Sequence, residues 1–121
     1  MTIRTVAAIL VLSMALIINL LTISSGPIKL YTSDAVDAAE IVFHRNVKLK
    51  NEESYVLNDY DVDVERPYNG DENWAEVTVV LDYSAMNSFG GMTRDEYTVI
   101  IYFNYEDGKF YDRVNSTLPI N

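Results

Sequence analysis

The chain contains no cysteine. No disulfide can staple it, no thiolate can serve as nucleophile or metal ligand, and the cysteine that marks a bacterial lipoprotein is missing. Its one histidine, His44, cannot build a metal site or a Ser–His couple alone, and reads as a surface or boundary residue. Basic residues are scarce: nine Lys and Arg face eighteen Asp and Glu, a net charge of −9. Setting aside Arg4 and Lys29 leaves seven cations against all eighteen acids, about −11. That balance argues against nucleic acid and anionic headgroups as direct partners. Its plain meaning is solubility or a saline medium; its sharper meaning is a face for cations or a basic partner. No internal repeat or low-complexity segment is present.

What is present begins with Val6–Ile23, eighteen residues without a charge, in which only Ser13, Asn19 and Thr22 are polar. At about 1.5 Å per helical residue this run covers roughly 27 Å, close to the hydrocarbon thickness of a bilayer. Two readings compete. A cleaved signal peptide has a basic start, a shorter apolar core and a small-x-small cleavage site. The basic start is there, but cleavage after Ser25 puts Ile23 at −3 and Pro27 at +2, and cleavage after Gly26 puts Pro27 at +1. The poor site favours an uncleaved single-pass anchor. Arg4 puts the N-terminus in the cytoplasm and the chain from about residue 28 outside, although Lys29 thins the margin. Asn19 is a candidate for helix pairing in the membrane, since a buried amide there contributes roughly 0.6–2 kcal/mol.

About 95 residues follow, enough for one small domain that must fold on core packing alone. Gly26-Pro27 breaks the first helix, and 27–33 reads as a linker. Ser33 or Asp34 can cap a helix over 34–48, with Asp34, Asp37 and Glu40 near its positive end. Val36, Ala39, Phe43 and Val47 form its apolar stripe. Strands are predicted over Tyr55–Glu65, Trp74–Ser84, Thr93–Tyr105 and Lys109–Val114. Turns fall at Pro67–Asp71, Asn87–Gly91 and Asp107-Gly108. The spacing predicts an α+β domain over 34–115, one amphipathic helix on a four-stranded antiparallel meander, behind a transmembrane or signal segment over 1–26. A loose tail over 116–121 carries Pro119.

Four features invite chemistry. Asp59, Asp61, Asp63 and Glu65 alternate with Tyr60, Val62 and Val64. A calcium loop beginning at Asp59 would need Gly where Val64 stands and Glu where Gly70 stands, so the motif fails. Same-face strand carboxylates are also about 7 Å apart, too far for compact coordination, and the row reads as a solvated face that discourages edge pairing. Nine tyrosines, including Tyr97, Tyr102, Tyr105 and Tyr111 on predicted strands, read first as packing and second as an aromatic binding surface. Asn115-Ser116-Thr117 matches a glycosylation sequon, without meaning in a prokaryotic source. Asn87-Ser88-Phe89-Gly90-Gly91 joins two long strands. It is either a structural loop, with Phe89 tucked beneath it, or a binding loop formed by Asn87, Phe89, Gly90, Gly91 and Arg94.

The run Val80–Thr98, VLDYSAMNSFGGMTRDEYT, resembles a pattern in small bacterial and phage exported domains in which a strand ends in an NSFGG loop with an Arg beyond it. Leu49–Ser54, LKNEES, is similar to a segment that precedes that loop, with Glu in place of Pro. The resemblance spans about 45–114 and implies a cystatin-like fold. It implies no catalytic residue. The Gln-Val-x-Ala-Gly hairpin of the protease-inhibiting cystatins is absent, which argues against thiol-protease inhibition.

No catalytic residue, metal or cofactor follows from these residues. The expectation is an extracytoplasmic interaction or structural domain held to a membrane through Val6–Ile23, in an envelope or a membrane-bearing virion, with a protein partner or self-association and no nucleic acid. One alternative is a soluble binding or inhibitory factor secreted after cleavage at Ser25. The other is a small pocket enzyme in which a carboxylate such as Asp82 acts as a base; it requires that acid in an apolar cavity with a raised pKa.

Overall fold

A computed structural model of the chain describes residues 27–120. The Val6–Ile23 run, with Asn19, lies outside the described residues, and among those described no helix is long and apolar enough to cross a membrane. Helix α1 (Thr32–Asn46) is followed by a 3-10 turn (Glu52–Ser54) and strands β1 (Val56–Glu65), β2 (Trp74–Met86), β3 (Met92–Asn104) and β4 (Lys109–Tyr111). The strands pair in the order β1-β2-β3-β4, every pair antiparallel, so the expected meander with one helix on it is present.

The helix begins earlier than its capping residues suggest. Tyr31 is the N-cap and supplies no side-chain bond, so Ser33 and Asp34 do not cap; both sit inside the first turn, where the Asp34 charge still meets the positive end of the helix. Val36, Ala39 and Phe43 are buried as their spacing requires, joined by Ala35 and Ala38. Val47 lies just past the helix, its N–H donating to the Phe43 carbonyl at 2.8 Å. Three small alanines, Ala35, Ala38 and Ala39, bring the helix backbone close to the sheet, and Phe43 packs on Tyr55, Tyr83 and Tyr97 with ring centroids 4.7–5.4 Å away.

The inner face of the sheet carries Val77, Val79, Leu81, Tyr83 and Ala85 from β2 and Val99, Ile101 and Phe103 from β3, all buried. β1 keeps its alternation: Tyr60, Val62 and Val64 lie opposite Leu81, Val79 and Val77 on this face. A bulge between Leu57 and Asp59 absorbs one residue, so Leu57 lies opposite Tyr83 on the inner face. Yet Tyr60 is 47% and Val64 40% exposed. A helix about 10 Å wide covers about two strands spaced 4.8 Å apart, and α1 sits over the middle of the sheet.

The turns follow their residue types. Asn69 (φ 49°) and Gly70 (φ 80°) form the tip between β1 and β2, the left-handed pair that a two-residue hairpin requires. The 3-10 turn takes Tyr55 out of the predicted first strand and into the core cluster around Phe43. β4 ends at Tyr111 rather than Val114, and Asp112 approaches Arg45 at 3.8 Å. The tail, expected to be loose, returns to the domain: Ile120 is buried and its N–H donates to the Phe110 carbonyl at 2.8 Å.

Candidate functional site

The loop between β2 and β3 is built by Asn87. Its Oδ1 accepts from the N–H of Phe89 at 2.9 Å and of Gly91 at 3.1 Å. Its own N–H donates to the Gly91 carbonyl at 2.8 Å, and Gly90 N–H donates to the Asn87 carbonyl at 3.1 Å. Gly90 takes φ 85°, open to glycine and costly for a side chain. The base of the loop is tied down from another part of the chain. Ser54 Oγ accepts from Met86 N–H at 2.8 Å and donates to the Asn51 carbonyl at 2.6 Å. The LKNEES segment is thus bonded to the strand end that leads into the NSFGG loop, though the two are far apart in sequence.

Phe89 does not tuck under this loop. It is 97% exposed, on a turn that the Asn87 carboxamide and backbone close without it. Of the five residues grouped from sequence, Asn87, Gly90 and Gly91 form the frame and Phe89 is what the frame presents. Arg94 stands apart. It lies opposite Ser84 and Asp82 lies opposite Glu96, all on the face away from the helix. There Arg94 Nε and Nη2 donate to Asp82 Oδ1 and Oδ2 at 2.8 and 2.5 Å, a bidentate pair.

That pairing answers the expectation placed on Asp82. Its side chain is on the open sheet face beside Asn58 and Arg94, not in an apolar cavity. The Arg94 guanidinium holds the Asp82 carboxyl below its usual range, against a smaller opposing effect of burial. A carboxylate stabilised in its charged form is a weak base, so Asp82 does not meet the requirement for a general base.

The open face is acidic. Asp59, Asp61, Asp63 and Glu65 of β1, Glu76 and Asp82 of β2 and Glu96 of β3 share it, with Asp59, Asp82 and Glu96 in one cross-strand row. Among the described residues no three His, Asp or Glu side chains converge to hold a metal ion. A concavity of about 100 Å³ lies among Asp59, Tyr60, Asp61, Val80, Asp82 and Glu96. A wider, open one of about 350 Å³ is lined by Tyr68, Asn69, Tyr102, Arg113, Val114 and Asn115, and holds the 5.0 Å contact of the Tyr68 and Tyr102 rings. His44 stands at the C-terminal end of α1 with its Nδ1 3.1 Å from Glu52, which ties the helix to the 3-10 turn.

The two ends of the long hairpin differ. Ile28 packs against the β3–β4 turn, where a Cβ on Gly108 would come within 3.2 Å of it. The chain therefore leads into the domain at the end of the sheet marked by Trp74 and Asn104, and the Phe89 loop is at the other. Thirteen residues in each of β2 and β3 separate them by roughly 40 Å.

No protein-family model matches the chain, and neither does any curated protein or solved structure.

Proposed function

We propose that this chain is a single-pass, membrane-anchored interaction domain that works outside the cytoplasm, as part of an envelope or of a membrane-bearing virion. Val6–Ile23 is the anchor, and the cystatin-like arrangement of one helix across a meander is the scaffold. The observation that carries the reading is Phe89. A large aromatic side chain 97% exposed on a loop held by Asn87 is a ready anchor for a partner's pocket. It stands at the end of the sheet opposite Ile28, through which the chain arrives from the apolar run. A membrane-held domain of this shape carries its aromatic tip outward.

The test uses the full chain in its membrane, with a photo-crosslinking residue at position 89 or, as the control, at 106 in the β3–β4 turn. A discrete adduct from 89 and none from 106 is expected. No adduct from 89, or the same adducts from both positions, overturns the role of the tip. Retention of the intact chain after a carbonate wash is expected for the anchor, and release of a shortened chain would instead favour secretion after Ser25.

A further inference from the structure

We infer that the free edge of β1 takes up an extended segment of a partner protein whose side chains alternate between apolar and basic. The partner segment adds a strand to the sheet. This surface is separate from the Phe89 loop, and the inference does not rest on the proposed function.

The sheet ends at β1, so its outer edge has no ladder partner among the described residues. Along this ten-residue strand every second residue turns its backbone groups to the free edge, a template for an added strand. The Tyr60 N–H is taken by Asp59 Oδ1 at 2.8 Å, which leaves Asp61–Glu65 as the open stretch. The two sides of that stretch ask for different chemistry. On the inner side, Val62 is half-buried and Tyr60 and Val64 are exposed beyond the reach of α1, so an added strand gains by presenting apolar residues there. On the outer side stand Asp61, Asp63 and Glu65, none of which makes an ion pair among the described residues. The concavity of about 100 Å³ beside Asp59 and Asp61 has room for one ammonium or guanidinium group.

These charges also decide between occupants. A second copy of β1 would set carboxylates opposite carboxylates at about 5 Å, which is unfavourable. A segment with Lys or Arg at every second position meets the row with opposite charge. The acids that oppose self-pairing thus select a basic guest.

The experiment uses the full chain in detergent micelles and a synthetic peptide of alternating Lys and Val. Amide hydrogen exchange should slow within Asp61–Glu65 when the peptide is added, and stay unchanged in the β2–β3 loop. Binding should weaken about tenfold or more in the D61K/D63K variant and fall with rising salt. A peptide N-methylated along its pairing edge should give no protection, and this arm tests the unaltered chain should the variant misfold. Equal protection by the N-methylated peptide, equal binding by a folded D61K/D63K variant, or no binding at low salt overturns the inference. Protection of β1 by self-association without peptide overturns it as well.

Discussion

Asp82 and Arg94 form the best-made ion pair on the open face, and its effect is readable by pH. The folded-state pKa of Asp82 is lowered, first by the hydrogen bonds from Arg94. A lowered carboxylate contributes stability above its unfolded pKa and loses it as pH falls through the folded value. Asp82→Asn removes that contribution at neutral pH. Urea midpoints of the two proteins should therefore differ most near pH 7 and converge in acid; a gap that stays constant with pH would show the pair to be without effect. Tyr55 offers the opposite case. Its hydroxyl is buried without a hydrogen bond of ordinary geometry, and burial together with the Glu40 carboxylate pushes its ionisation well up. Tyr55→Phe removes this buried hydroxyl while keeping the ring on Phe43. The change should be neutral or stabilise by about 1 kcal/mol in chemical denaturation, and a clear loss would reveal a stabilising contact with Glu40.

Helix α1 shows how an element can be legible while its end is not. Its apolar spacing singles out Val36, Ala39 and Phe43, and these are buried. Its start is governed by where the linker meets the sheet, and the N-cap falls on Tyr31, whose side chain cannot accept from the first turn. Tyr31→Ser or Tyr31→Asp should raise stability by about 1 kcal/mol, seen as a higher urea midpoint with unchanged slope. No gain would mean that Tyr31 already contributes as much by packing. β1 was equally legible in its alternation. Its bulge was not, because the residue that absorbs the extra position, Asn58, is chosen by pairing across to Ser84 and Asp82.

For the whole molecule the least legible feature was closure. Pro119 and the polar residues before it read as a loose end, yet Ile120 is buried in the core and bonded to Phe110. Ile120→Ala should cost about 2 kcal/mol or more, measured by thermal or urea unfolding of the full chain. A cost near zero would mean the tail does not hold the domain together. The candidate site was divided in the same way. The Asn and Gly residues of the β2–β3 loop declared a turn through their backbone preferences, and the turn is there with Asn87 at its centre. Those preferences do not say which way Phe89 faces, and it faces solvent, while Arg94 was drawn from the group by Asp82 across the strands.

Composition and periodicity alone determined that this is an acidic, cysteine-free chain with one amphipathic helix, four strands and a membrane-length apolar run. Those properties are local or additive, and residue spacing records them. Tertiary structure alone decided that one helix leaves Tyr60 and Val64 of the edge strand uncovered, that Ser54 anchors the loop beyond Met86, and that Phe89 points to solvent. Each of these depends on which distant residues come to share a space, and that is set by strand register and by the width of the helix relative to the sheet.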